Sequence, residues 1–160
     1  ALIDCLDLAD GPPWRTPEET QALLALMAEG QRARIEALRD GRERAVGAGF
    51  RRVRQEQSGR RQRLEARFDG LAGCVRTPGG GSSRQFVLLI EDGTVRARLM
   101  SARESARLMG LPDSFPLPKA ETQALQVIGD GVCVPAARWL GEHLLAPLAR
   151  SSSGAKRVAA

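Results

Sequence analysis

The stretch FVLLIEDGTVRARL, residues 86–99, decides the fold of this 160-residue chain. Five apolar residues lead into an Asp92-Gly93 pair, and a second run with β-prone residues follows. An Asp-Gly pair between two such runs is a strong short-range signal for a β-hairpin with a two-residue turn. The sequence therefore predicts a hairpin here.

The segment before this hairpin, from Val46 to Gly73, alternates small or apolar residues with arginine. Turn-forming pairs at Ser58-Gly59 and Asp69-Gly70 bound its parts. This alternation predicts two further strands, which a polar turn joins and which share one basic face.

Helical patterns precede the sheet. Thr16 stands before Pro17, and Glu19 follows three residues after Thr16. This is the pattern of an N-cap with a capping box and a proline at the first helical position. Apolar residues at helical spacing continue from there, and they predict two helices within residues 16–39, separated near Gly30.

Helices are also predicted after the sheet. Ser101 and Glu104 form a second capping-box pattern, residues 121–128 form the next helix, and Pro135 opens a last helix to about Leu148. Helices, then strands, then helices make an α+β pattern. The outer helices carry more apolar surface than a small sheet can cover, so we expect a missing partner surface.

The charge is strongly positive and unevenly placed. The chain has a formal charge of +5, and residues 31–67 hold 12 arginines against five acids. Only two of the 24 basic residues are lysines, and arginine suits phosphates and guanine edges. A GC-rich genome would produce the same bias, so the clustering indicates a nucleic-acid partner better than the total does.

Several other classes of protein are disfavoured. Cys5, Cys74 and Cys133 are an odd number without CxxC spacing, which argues against a disulfide framework and a zinc site. The single histidine, His143, lies in a helical pattern and is more typical of a surface residue than of a catalytic base. No apolar run is long enough to span a membrane, and we expect a cytoplasmic protein without a bound metal.

Two stretches resemble conserved motifs of a known family. Residues 96–118 contain Arg103-Glu104, Ala106-Arg107-Leu108 and Gly110-Leu111-Pro112-Asp113, and they resemble the ninth motif of bacterial DNA cytosine-5 methyltransferases. Residues 122–148 resemble the tenth motif of that family. The matching residues of this second stretch are Gln123, Gly129, Val132 and Pro135. Ser101-Ala102 replaces the usual Thr-Pro, Leu111 the usual Phe, and Asp130-Gly131 the usual Asn followed by Ala or Ser.

The resemblance implies an organisation for the chain. Residues 1–100 look like a target recognition region, with helices in 16–39 and basic strands in 46–100. Residues 101–149 would hold the ninth- and tenth-motif helices, and residues 150–160 a disordered tail. The C-terminal helices would dock on a Rossmann-like methyltransferase domain that this chain does not contain.

The resemblance also implies roles for particular residues. The turn Gly129-Asp130-Gly131-Val132 would close one side of an S-adenosylmethionine pocket, and Arg103 and Glu104 would be structural. The Gly-rich loop, residues 74–85, and the first basic strand would approach double-stranded DNA. A flexible hairpin connection for the loop and a solvated face for the strand remain open interpretations. The candidate DNA contacts are Arg51, Arg52, Arg54, Arg76, Thr77, Ser82, Ser83, Arg84 and Gln85.

The catalytic motifs of that family are absent from this sequence. No cysteine follows a proline, so the Pro-Cys nucleophile is missing, and we assign no catalytic residue. The resemblance therefore implies a C-terminal part or small subunit that works with an N-terminal catalytic half, in restriction–modification or phage defence. A stand-alone DNA-binding module or an inactive remnant is the alternative.

Overall fold

The computed structural model describes residues 1–41, 44–57, 59–79 and 84–155. A short 3-10 helix, Leu2–Cys5, comes first, and it is followed by α1 (Pro17–Leu24) and α2 (Glu29–Asp40). The predicted capping box of α1 is confirmed. The hydroxyl of Thr16 accepts from the backbone N–H of Glu19 at 3.2 Å, and the Glu19 carboxylate accepts from the N–H of Thr16 at 3.0 Å.

Four antiparallel strands form one sheet: β1 (Ala45–Glu56), β2 (Gly59–Arg67), β3 (Gln85–Glu91) and β4 (Thr94–Leu99). Their order across the sheet is β2-β1-β3-β4. The predicted hairpin is confirmed, because Asp92 and Gly93 both have positive φ, 50° and 71°, as a two-residue hairpin turn with this sequence requires.

The central strand β3 is buried on both faces, which explains its continuous apolar run. Its register places Leu88 opposite Gly47 of β1 and Ala97 of β4. One face of the sheet packs against α1 and α2. The main core members on that face are Leu23, Met27, Ile35, Leu64, Phe86, Leu88 and Ile90. The other face is covered by the N-terminal segment, and its core members are Leu2, Ala48, Val87 and Met100.

The C-terminal part begins with α3 (Ala102–Leu108) and α4 (Glu121–Asp130). These two helices pack together through a third small core formed by Ala102, Ala106, Ala124, Leu125 and Ile128. A long helix follows, made of α5 (Val134–Leu140), a π-helical turn (Gly141–Leu145) and α6 (Ala146–Ala155), and it is called the C-terminal helix below. The predicted α+β class is therefore confirmed.

Two details of the C-terminal part differ from the sequence prediction. Gly129 and Asp130 are the last residues of α4, and Gly131 is extended (φ −76°, ψ 167°), so the three residues do not form a tight turn. The reason for a glycine at 129 is steric, as shown below. The last helix was expected to end at about Leu148, but its helical backbone continues to Ala155, and residues 156–160 lie outside the described part.

Candidate functional site

An arginine–glutamate pair lies at the centre of the ninth-motif region. The side chains of Arg98 and Glu104 are both 0% exposed, and the guanidinium donates to the two carboxylate oxygens at 2.6 and 2.8 Å. Glu104 also accepts from the backbone N–H groups of Ser101 at 2.8 Å and Asp7 at 2.9 Å. One carboxylate therefore joins β4, the start of α3 and the N-terminal segment.

The structural role predicted for Glu104 agrees with this geometry, but its partner Arg98 was not among the predicted site residues. The available signal was the position of Arg98 in β4. It lies directly opposite Val87 of the fully buried strand β3, where a charged side chain requires a partner.

The environment of Glu104 determines its titration. Burial alone would raise the pKa of this carboxyl group, but the hydrogen bonds from Arg98 and from two backbone N–H groups outweigh burial, so the pKa is lowered. Because the folded pKa lies below the ordinary value of 4.5, the stabilisation is complete above that value. It is lost as the pH falls through the folded pKa.

We expect acid to destabilise the wild-type chain through this group. The free energy of unfolding should fall as the pH drops below about 4.5, and the Glu104→Gln variant should show a weaker fall over the same range. Chemical denaturation at a series of pH values would measure both. Parallel pH profiles for the two proteins would contradict the assignment.

Arg103 and Arg107 hold the loop that follows α3. Arg103 donates to the carbonyl oxygens of Pro112 at 3.4 Å and Phe115 at 2.9 Å. Arg107 donates to Asp113 at 2.7 Å. Among the described residues, the hydrogen bonds of Arg103 stay within residues 96–118. Arg107 also donates to Oδ1 of Asp7 at 2.8 Å, so it joins α3 to the N-terminal segment beside the Arg98–Glu104 pair.

The end of α4 packs against the first part of the Gly-rich loop. A Cβ atom at Gly129 would lie 2.1 Å from the backbone nitrogen of Thr77 and 2.4 Å from the carbonyl carbon of Arg76. The Thr77 hydroxyl donates to Oδ1 of Asp130 at 2.5 Å. The structure thus brings a candidate DNA residue and a candidate cofactor residue into contact, and glycine at 129 permits the close approach.

The other two candidate cofactor residues, Gly131 and Val132, are open to solvent. Gly131 is exposed, and Val132 is 72% exposed. Because Oδ1 of Asp130 is already bonded to Thr77, the part of this site left for a ligand is the extended backbone at Gly131 and Val132 and the second carboxylate oxygen of Asp130.

The loop residues proposed for DNA contact differ in their surroundings. Arg76 is exposed, whereas one Nη of Arg84 donates to Met100 O at 3.4 Å and to Glu121 at 3.2 Å. Gln85 is only 5% exposed. Its Oε1 accepts from the backbone N–H of Gly73 at 2.8 Å, and its Nε2 donates to the carbonyl oxygen of Gly73 at 3.2 Å. Gln85 therefore cannot read a base edge and is corrected to a structural residue. Ser82 and Ser83 lie outside the described residues.

The three arginines of β1 do not share one environment. Arg51 lies on the helix-covered face, with its guanidinium 5.5 Å from the centroid of the Phe86 ring. Arg54, on the opposite face, forms a bidentate pair with Glu65 at 2.5 and 2.7 Å. Arg52, on the same face as Arg54, is 3.8 Å from the same carboxylate.

The C-terminal helix presents a large apolar surface. None of the residues from Val134 to Leu145 is buried. Trp139 is 58% exposed, and its ring stacks on His143 with 4.8 Å between centroids. The other strongly exposed apolar residues are Leu140, Leu144, Leu145 and Leu148. These side chains are therefore not part of the core of this chain, and the docking surface expected of the C-terminal helices remains a prediction.

With this geometry in place, comparison with known proteins identifies the family. The family model described as C-5 cytosine-specific DNA methylase matches residues 31–146, from α2 to the start of α6. This chain belongs to that family. The matched region of this chain includes the sheet, the Arg98–Glu104 pair and the end of α4.

Individual relatives of this chain are named as Type II methyltransferases. M.NlaX of Neisseria lactamica is 40% identical over 65 residues, which are 41% of this chain and 21% of that protein. M.HpaII of Haemophilus parainfluenzae is 33% identical over 93 residues, 50% of this chain and 26% of that protein. M.DsaV of Dactylococcopsis salina is 29% identical over 130 residues, 80% of this chain and 32% of that protein.

This chain thus spans about a third or less of the length of these relatives, and no solved structure matches it. Within the described residues, no group of three or more His, Cys, Asp or Glu side chains could hold a metal ion. The same part of the chain has no helix that combines the length and the apolar character needed to cross a membrane.

Proposed function

We propose that this chain is the recognition and cofactor-closing part of an S-adenosylmethionine-dependent DNA (cytosine-5) methyltransferase. It would be a C-terminal part or small subunit and would serve in restriction–modification or phage defence. Family membership over residues 31–146 supports the reaction class. The observation that supports a separate catalytic part is the exposed apolar C-terminal helix, which follows the candidate cofactor residues. The sequence also contains no Pro-Cys nucleophile.

The proposed catalytic partner would cover the C-terminal helix. Exposed apolar side chains that are contiguous on one element mark an interaction surface. Val132 and Trp139 extend this surface from the end of α4 into the helix, so a partner that buries the helix also reaches the proposed cofactor side. The same partner would supply the thiolate and the acid that cytosine methylation requires.

The residues at the end of α4 fit the cationic end of S-adenosylmethionine, which supplies an activated methyl group when bound. The backbone carbonyls at a helix C-terminus carry a partial negative charge, and the adjacent Asp130 is exposed and acidic. Gly131 and Val132 offer open backbone next to them. In the proposed enzyme these residues form one wall of the pocket, and the catalytic half forms the others.

DNA recognition would use the loop seated on α4 and the arginines around it. Arg76 is exposed at the start of this loop, and Arg84 follows it. Most protein–DNA hydrogen bonds go to phosphate and sugar, so arginines at the loop base would orient the duplex. The serines at 82 and 83 remain predicted contacts of the same loop.

The experiment that tests the proposal measures transfer of labelled methyl groups from S-adenosylmethionine to duplex DNA. It compares this chain alone with the chain co-expressed with the polypeptide encoded immediately upstream. Activity only in the mixture would establish the proposed division of labour. No activity in either sample, together with salt-sensitive DNA binding by this chain, would favour the alternative of a DNA-binding module or an inactive remnant.

A charge placed on the apolar helix should separate docking from folding. We expect Leu145→Asp, at a residue that is 61% exposed, to leave the unfolding midpoint of the isolated chain nearly unchanged and to reduce its aggregation. In the co-expressed mixture, the same variant should abolish methyl transfer because a buried unpaired charge opposes docking. Glu142→Gln, on the same helix, is the matched control. Equal activity of both variants would contradict the docking role.

A further inference from the structure

The hairpin of β1 and β2 extends beyond the rest of the sheet. β1 pairs with β3 only from Ala45 to Phe50, whereas its pairing with β2 continues to the Glu56–Gly59 pair. Residues 52–56 and 59–63 therefore form a two-stranded ribbon without a third strand, which is called the ribbon below. Val53 of the ribbon is 54% exposed, so the ribbon is not part of the apolar core.

One face of the ribbon carries an unusual arrangement of like charges. Arg52 lies directly opposite Arg63, and Arg54 lies directly opposite Arg61. Cross-strand partners point to the same face of an antiparallel sheet, and like charges directly opposite each other destabilise it. The folded ribbon therefore keeps two successive arginine–arginine pairs that ordinary strand chemistry would avoid.

Two carboxylates offset only part of this charge. Glu65 binds Arg54, and Glu56 binds Arg63 at 2.6 and 2.8 Å. The arginines hold the pKa of both carboxyl groups below the ordinary value, so both remain ionised at neutral pH. Arg61 is exposed, and its positive charge also contributes to lowering the pKa of Glu56. Four guanidinium groups thus face two carboxylates on one surface.

We propose that the ribbon is a DNA-docking arm whose arginine face contacts the phosphates beside the major groove. This inference rests on the proposed binding of duplex DNA and adds Arg61 and Arg63 to the contacts. A two-stranded β-ribbon fits the major groove of B-DNA. The planar arginine fork suits phosphate, and a polyanion would relieve the repulsion between the paired arginines.

The ion pairs give the arm a second testable property. Glu65 competes with DNA for Arg54 and Arg52, since it binds the first and is 3.8 Å from the second. Removing its charge frees both guanidinium groups for phosphate. A purely structural ion pair would behave differently, because losing it would not strengthen DNA binding.

The test measures the affinity of the full chain for a short mixed-sequence DNA duplex between about 50 and 200 mM salt. The slope of log affinity against log salt is negative. Arg61→Gln should reduce its magnitude by about 0.9, and the Arg52→Gln/Arg61→Gln double variant by about twice that amount. Arg34→Gln removes an exposed arginine of α2 and is the matched control, with an unchanged slope. Glu65→Gln should bind more tightly and with a steeper slope.

Thermal unfolding of each variant would show that it is folded. If the wild-type chain binds DNA and the ribbon variants keep the slope of Arg34→Gln, the docking arm is overturned while DNA binding stands. If Glu65→Gln weakens DNA binding, the competition between Glu65 and phosphate is overturned. A wild-type chain that binds no duplex even at the lowest salt would overturn the docking arm together with the DNA-recognition part of the proposed function.

Discussion

Replacing Glu104 with alanine lowers the free energy of unfolding by about 3–5 kcal/mol, because it leaves a fully buried guanidinium without its counter-ion. The backbone N–H groups of Ser101 and Asp7 lose their acceptor in the same variant. The expected loss is a large fraction of the stability of an ordinary domain. Urea denaturation at neutral pH would measure it.

The controls for this prediction separate the effect of the unpaired charge from the effect of the lost hydrogen bonds. Glu36→Ala removes an exposed acid from α2 and should change the free energy of unfolding by no more than about 0.5 kcal/mol. The double variant Arg98→Met/Glu104→Leu removes both charges and should be more stable than Glu104→Ala. A double variant as unstable as the single one would show that the hydrogen bonds, and not the unpaired charge, dominate the loss.

Gly129→Ala should destabilise the chain by about 1–3 kcal/mol, the usual cost of inserting a methyl group where no space exists. The new Cβ would meet the backbone of Arg76 and Thr77 at 2.1–2.4 Å, and a backbone cannot rotate away as a flexible side chain can. The base of the Gly-rich loop must then move off α4. In the proposed enzyme, DNA affinity should fall together with stability.

The matched control is Gly30→Ala, since Gly30 is also helical but has no atom within 4 Å of its added Cβ. This control should stabilise the chain by about 0.5–1 kcal/mol, because alanine has the higher helix propensity. Thermal or urea unfolding of both variants would compare them. If Gly129→Ala is as stable as Gly30→Ala, the close contact between the loop backbone and Gly129 of α4 is wrong.

The Arg98–Glu104 pair and the close contact at Gly129 each join one motif region to an earlier part of the chain. Through Glu104, the start of α3 is bonded to β4 and to the N-terminal segment. Through Gly129 and Asp130, the end of α4 holds the base of the Gly-rich loop. In the proposed enzyme, the loop that meets DNA and the backbone that meets the cofactor are thus parts of one packed unit.

Sequence reasoning succeeded where the signals are local. The Asp92-Gly93 turn and the capping boxes at Thr16 and Ser101 are confirmed, since each depends on residues within a few positions of one another. The apolar run before this turn likewise predicted a strand, which the structure shows as β3. The ordered motifs indicated the family, which the match to residues 31–146 confirms.

Only the tertiary structure decided which side chains from different elements contact one another. It directed Gln85 to the backbone of Gly73, Asp130 to Thr77, and one face of β1 to opposing arginines of β2. Helix ends, turns and strands follow from short-range sterics and periodicity, which a sequence displays directly. The partner of a side chain in another element depends on strand register and helix packing, so local sequence patterns alone could not reveal it.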